Sequence, residues 1–386
     1  MKIILTHPYC WPYVRRGAER FMDECARYLI GNGHQVVTVS TKPGKGRVEN
    51  RDGGRRILHR QLWAPFMSKF RIHPAHAFLL GSARSTLVEG ADVVHCLSYF
   101  DAWGANLTRK LKGHRTVFHM TGPPLPHCLP RIPPDRWLLR KAMERSDHII
   151  VNSAFTKSVL NQHCDRDAEI IPVPVDLEAF PPGNGPPNGR PTLVCAACLD
   201  DRRKGLRVLV QAFAAVLDSV PSAILRLSGH LSDATRQEVI DPLPENVRAS
   251  IEILGEGAQE DMARVYGEAS LNVLPSMWED YGMSVLESWA CGTPAVVTDH
   301  GGLAEQVTDE SIGVRFDPQT EGYETTNADG LAEAILKGLA LSERSETRDR
   351  CRRHAERFDW SVIGPRYVDL YRIIHRRARC HSETRP

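Results

Sequence analysis

Residues 274–302 read LPSMWEDYGMSVLESWACGTPAVVTDHGG, and the reading of the whole chain turns on them. Two glutamates, Glu279 and Glu287, stand in this stretch with seven residues between them. Tyr281-Gly282 forms a short loop that opens a helix, predicted over Met283–Ala290 with Val285, Leu286 and Trp289 on its apolar face. Gly292 and Pro294 are the stop signals expected past a helix end. An apolar strand over Ala295–Thr298 follows, and the glycine pair Gly301-Gly302 closes the stretch.

Such a pattern carries chemistry. A glycine loop feeding a helix start turns backbone N–H groups toward an anion and lets the anion come close. A carboxylate two turns into the helix repels that anion, but it accepts hydrogen bonds from a polyol beside it. Eight helical positions span at most ~12 Å at ~1.5 Å per residue, about the length of a nucleoside diphosphate sugar. One glutamate would then hold a ribose, the helix start a diphosphate, and the other glutamate the sugar. Two glutamates on a solvated helix face are the plainer alternative, and the glycine loop, the stop signal and the buried strand weigh against it.

On Pro275-Ser276, Glu279, Tyr281-Gly282, Glu287, Ala290–Pro294 and Gly301-Gly302 the stretch resembles the signature of retaining glycosyltransferases of family 4, also called glycosyl transferases group 1. The resemblance implies an α/β chain of GT-B fold, with two Rossmann-like doubly wound domains facing an interdomain cleft. It extends over nearly the whole sequence, strongly in 199–302 and diffusely in the first 180 residues.

The 386 residues suit two or three domains, and 42% hydrophobic with 25% charged residues is an ordinary globular composition. A formal charge of +2 gives no ground for a nucleic-acid partner. No apolar run approaches the ~20 residues that span a bilayer. The opening MKIILTHPYC lacks a secretory core, so a cytoplasmic location is expected. The ten cysteines are expected as reduced, buried small hydrophobes, Cys195-x-x-Cys198 included. Asp165-Arg166-Asp167 is an Asp-x-Asp on a polar loop, read as chance, so no metal and no cofactor beyond the donor is expected.

Short apolar strands alternate with helices from Ile3 to Pro172, then again from Thr192, with a Pro/Gly-rich stretch between. This divides the chain into an N-terminal domain, 1–180, joined by a returning helix, 360–378, and a C-terminal domain, 190–359. The family assigns the acceptor to the first and the nucleotide-sugar donor to the second. The tail from Arg376 reads as disordered.

The second motif is LDDRRKGLRVLVQAF, 199–213, which places Arg203 and Lys204 at a strand's carboxyl end. Cations there neutralise a diphosphate and stabilise the charge on a departing phosphate. Where the family commonly has Gly-Arg ahead of this loop, the chain reads Ala197-Cys198. In PYVRRGAE, 12–19, only Gly17 of the family's paired glycines is present, with Arg16 in the other place. His119 ends a predicted strand and resembles the family's histidine against the donor sugar. His95 is read as structural or as a weak acceptor-side candidate, and Asn152-Ser153 and Val173–Asp176 as structural. Residues 62–80 mix aromatic and basic side chains, which suits packing, or contact with the inner face of an anionic membrane where a lipid-linked acceptor would wait.

By resemblance, Glu279, His119 and Lys204 are the expected catalytic residues. Arg203, Lys204, Tyr281, Gly282, Met283, Ser284, Glu287, Gly17 and Arg16 would bind the donor, a UDP-, GDP- or ADP-sugar. The implied reaction is metal-independent transfer, with retention, to the hydroxyl of a glycan, lipid-linked or small-molecule acceptor. A sugar-nucleotide epimerase or hydrolase of the same fold, and a non-catalytic sugar-nucleotide binder, are the alternatives. Base, sugar, acceptor and oligomeric state stay open.

Overall fold

The computed structural model describes residues 1–61, 75–124, 133–257, 259–320 and 322–383. The chain divides into two compact units, Met1–Pro174 with Trp360–Pro386, and Val175–Asp359. The division falls inside the 172–191 stretch, before the boundary at 180 read from sequence.

Unit 1 runs β1 (Lys2–Thr6), α1 (Gly17–Gly31), β2 (Gln35–Lys42), β3 (Arg47–Arg51), β4 (Gly54–Arg60), α2 (Ala75–Glu89), β5 (Val93–Cys96), α3 (Tyr99–Lys112), β6 (Arg115–Met120), α4 (Pro133–Arg145), β7 (His148–Val151), α5 (Ala154–Asn161) and β8 (Glu169–Ile170). Its strands lie in the order β3-β4-β2-β1-β5-β6-β7-β8. All neighbours are parallel except β3 and β4. Ile4, Val39, Val94, Phe118 and Ile149 form a buried sheet face that Ala142 and Leu160 cover. Such continuous apolar strands mark a sheet with helices on both sides.

Sequence reading assigned no strand to 47–60. The structure places an antiparallel hairpin there, turned at Asp52 (φ 53°) and Gly53 (φ 81°). Asp-Gly suits a two-residue turn in which both central residues are left-handed, and this signal was present in the sequence. Residues 62–74, most of the aromatic and basic stretch, lie outside the described residues; Phe78 is buried and Leu80 exposed on α2.

The helix Trp360–Glu383 belongs to unit 1. It continues past Arg376, where disorder was expected, because no glycine or proline follows Pro365 before its end. Trp360 stacks on Tyr28 and Phe21 of α1, with centroids 5.3 and 5.8 Å apart, and its Nε1 donates to Glu24 Oε2 at 3.0 Å.

Unit 2 runs β9 (Thr192–Ala196), α6 (Leu206–Ser219), β10 (Ile224–Ser228), α7 (Asp233–Val239), α8 (Glu245–Arg248), β11 (Ile251–Gly255), α9 (Gln259–Gly267), β12 (Leu271–Leu274), α10 (Met283–Ala290), β13 (Ala295–Thr298), α11 (Gly301–Gln306), β14 (Gly313–Phe316), α12 (Ala328–Ser342) and α13 (Thr347–Glu356). Its six strands, ordered β11-β10-β9-β12-β13-β14, are parallel throughout. Chain order reverses between β9 and β12, so the loops leaving those two strands flank the switch point where open α/β sheets take ligands. The proline-rich stretch before β9 is laid on this unit: Gly183 N donates to Cys291 O at 3.0 Å and Gly185 N to Gly267 O at 2.9 Å.

Candidate functional site

The loops leaving β9 and β12 carry the two motifs. After β9 the chain makes a single 3-10 turn, Arg202–Lys204, capped by Asp201, whose side chain accepts from Arg203 N. Gly205 then adopts φ 72°, and a Cβ there would stand 2.5 Å from Pro275 O. After β12 the loop returns alongside: Met277 N donates to Arg203 O at 2.8 Å. The two motifs, distant in sequence, are therefore locked backbone to backbone.

Lys204 Nζ donates to Glu279 Oε2 at 2.5 Å, both side chains under one-fifth exposed. Arg203 is held by Asp201, with Nε 3.1 Å and Nη2 2.5 Å from Oδ2. Arg202, three-fifths exposed, reaches Glu324 at 2.9 Å.

Gly282, at φ 73°, is the N-cap of α10. A Cβ at Gly282 would fall 2.4 Å from Leu303 Cδ2, and one at Gly302 only 1.7 Å from Asp280 O. Glycine is required at both, and Gly302 N also donates to Glu279 O at 2.9 Å. Met283 and Ser284 follow as the half-buried first turn, whose amides have no partner inside the helix. Asn272, fully buried in β12, donates from Nδ2 to Ser284 O at 3.0 Å and fixes this turn on the sheet. Tyr281 is buried, and burial pushes its hydroxyl pKa up. Glu287 lies further along α10 and is also buried. No carboxylate stands in the first turn of α10 itself.

Trp278, the residue before Glu279, has φ 60°, a left-handed backbone that costs a bulky residue about 1–3 kcal/mol. Its Nε1 donates to Gly322 O at 2.7 Å, and its ring meets His300 edge-on at 4.2 Å. Sequence reading passed over Asn272, Trp278 and Asp201. Asp201 had a visible signal, an acidic residue just ahead of a turn, whereas the other two act through partners remote in sequence.

The remaining expected site residues belong to unit 1. Arg16 is the exposed N-cap residue of α1 and Gly17 its first residue. Arg15 lies 5.8 Å over the Trp11 ring. His119, at the end of β6, is 1% exposed and its Nε2 lies 2.7 Å from Asn152 Oδ1. Burial pushes its pKa down to about 4, so the ring is neutral. It packs against Phe21 at 5.1 Å and stacks on His95 at 5.3 Å. His95 is likewise held well below its ordinary pKa by burial, and its Nδ1 lies 2.5 Å from the Tyr371 hydroxyl.

At the switch point of unit 1, Thr6 donates to Asp101 Oδ2 at 2.5 Å. Burial raises the Asp101 pKa to about 7. Cys195 is buried with its thiol pushed up to about 12, and Cys198 is half-buried; both are free thiols. Asp167 of the Asp-x-Asp pairs with Lys157 at 2.8 Å. Among the described residues no helix is long and apolar enough to cross a membrane.

Comparison with known proteins places this geometry. The family described as Glycosyltransferase Family 4 matches residues 15–179, and that described as Glycosyl transferases group 1 matches 177–358. Two D-inositol 3-phosphate glycosyltransferases are 26% identical. The one from Corynebacterium kroppenstedtii aligns over 63% of this chain and 58% of its own length, so the chain spans little over half of that relative. The one from Corynebacterium urealyticum aligns over 94% and 90%. Among solved structures, sucrose-phosphate synthase from Thermosynechococcus elongatus superposes with a TM-score of 0.80 at 20% identity, covering 97% of this chain and 98% of that one, which speaks to the fold. With both units matched in turn and a GT-B fold along its length, the chain belongs to the family 4, or group 1, glycosyltransferases.

Proposed function

We propose that the chain transfers a sugar from a nucleoside diphosphate sugar to a hydroxyl acceptor, with retention and without a metal. The observation that carries this reading is the Lys204–Glu279 pair beside the glycine-capped start of α10, at the switch point of unit 2. In this reading the donor diphosphate lies across the Met283 and Ser284 amides and takes Lys204 from Glu279, while Arg203 turns from Asp201 to join it. Glu279, released, accepts from hydroxyls of the sugar, and Glu287 accepts from the ribose.

As the bond from the anomeric carbon to the phosphate oxygen breaks, Lys204, Arg203 and the helix amides stabilise the charge left on phosphate. That phosphate oxygen takes the acceptor's hydroxyl proton on the face it leaves, and the new glycosidic bond forms on the same face. The products are a nucleoside diphosphate and a glycoside of unchanged anomeric configuration. The relatives are named for D-inositol 3-phosphate, so phosphorylated polyols head the acceptor panel.

The deciding experiment is binding and turnover with UDP-, GDP- and ADP-sugars in EDTA, first without acceptor and then with the polyol panel. One donor should bind, and Glu287→Gln should weaken it about 10- to 100-fold, the value of hydrogen bonds to a charged group. Transfer in EDTA with the donor's anomeric configuration kept is the expected product analysis. Epimer formed without acceptor would favour the epimerase reading, binding without any turnover the binder reading, and no binding at all would end this proposal.

A further inference from the structure

The donor-site reading explains why Glu279 lies where it does, but leaves unexplained the residue before it. A tryptophan in left-handed backbone is costly, and glycine would adopt φ 60° at position 278 without strain. Such strain persists only where the surroundings hold it, and it gathers at sites whose geometry matters.

The surroundings of Trp278 do hold it. On one side Met277 N is bonded to Arg203 O at 2.8 Å, tying the loop to the basic turn. On the other, Gly302 N is bonded to Glu279 O at 2.9 Å. Between these ties the indole N–H reaches Gly322 O at 2.7 Å, and the ring stands edge-on to His300, the residue just ahead of α11. Gly322 lies in the connection between β14 and α12. Two residues on in that connection, Glu324 pairs with Arg202 of the basic turn. The same connection thus grips both motif loops, one at the residue before Glu279, the other two residues before Lys204.

Resting on the proposed donor site, we infer that Trp278 is a positioning residue for the donor sugar: clipped to Gly322 and braced on His300, it fixes the backbone from which Glu279 reaches Lys204 and, once the donor is bound, the sugar. The left-handed turn is the cost of aiming the carboxylate at the cation. Trp278 touches no reacting atom in this scheme; it acts through Glu279, and so should bear on the sugar rather than on the nucleotide. Nucleotide contacts fall to Glu287, Lys204 and α10, none of which hangs from the indole.

The test is steady-state kinetics of the full chain with the donor found by the sugar-nucleotide panel. Trp278→Phe leaves an aromatic ring to face His300 but removes the N–H, along with part of the indole. It should lower kcat about tenfold, the order expected when a reacting group is set slightly out of place, and leave donor KM and nucleoside diphosphate Kd within twofold. Trp278→Gly relieves the backbone but removes both the clip and the brace, and kcat should fall at least as far. A role through Glu279 requires that Trp278→Phe cost nothing further in a Glu279→Gln background. An equal loss in both backgrounds, an unchanged kcat, or a loss confined to KM would overturn the inference while leaving the donor site standing. Lys204→Ala, run beside them, separates the two levels: wild-type turnover in that variant would overturn the donor site itself, and this inference with it.

Discussion

Lys204 has two claimants. In the structure Glu279 holds it at 2.5 Å, and in the proposed complex a diphosphate takes it. A lysine placed only to stabilise the loop would be silent in catalysis, whereas one that stabilises the departing phosphate is needed at the barrier. Lys204→Ala should therefore reduce turnover about 10²- to 10³-fold, the loss seen when a preorganised donor to a developing anion is removed. Arg15→Ala, which removes a cation over the Trp11 ring, should stay within a few-fold of the parent. Equal effects of the two in the same assay would refute the placement of the diphosphate. Lys204, Glu279 and Glu287 were legible in the sequence as residue types in the right surroundings, because glycine loops and helix starts announce themselves locally. The pairing of Lys204 with Glu279, the chelation of Arg203 by Asp201 and the left-handed Trp278 were not. Each depends on where another segment comes to rest.

Among the elements, those set by local pattern were read to the residue: α10 and β13 have the predicted bounds. Strong apolar periodicity between glycine and proline stops leaves little choice there. The edge hairpin β3–β4 and the edge strand β14 escaped, since edge strands are half polar and lack the continuous apolar run of buried parallel strands. His119 gained a different setting from the one read off its strand end: it lies in an aromatic layer between α1, β5, β6 and the C-terminal helix.

That layer makes a pH prediction. His95 and His119 have folded-state pKa values depressed by burial, about 4 for His119, against about 6.5 unfolded. As pH falls from about 6.5 to 4 the unfolded chain takes up these protons first, so their contribution to stability is lost across that window. Asp101 works the other way: its folded value of about 7 stands above the unfolded ~3.9, and its proton uptake on acidification favours the folded state. Asp101→Asn removes this opposing slope. Its Tm should fall more steeply than the parent's between pH 6.5 and 4.5, and an equal or shallower fall would show that Asp101 does not titrate as argued.

At the scale of the molecule, two buried apolar clusters among the described residues each keep to one unit. One cluster draws on residues 4–168 and the other on 193–339, with no member in common. Unit 2 is one continuous segment, Val175–Asp359, while unit 1 is assembled from both ends of the chain. A fragment 175–359 should therefore melt cooperatively by circular dichroism. Fragment 1–174 should not, because it lacks Trp360, Tyr367 and Tyr371, which cover Phe21, Tyr28 and His95. A cooperative melt of 1–174 would show that the returning helix adds little to that core.

The stacking of Trp360 on Phe21 and Tyr28 also has a consequence in time. A ribosome delivers α1 long before Trp360, with the whole of unit 2 made in between. Over that interval the aromatic face of α1 is without its cover. Unit 1 is begun before unit 2 and completed after it, so the nascent chain carries an open aromatic seam for chaperones to shield until the helix from Trp360 emerges.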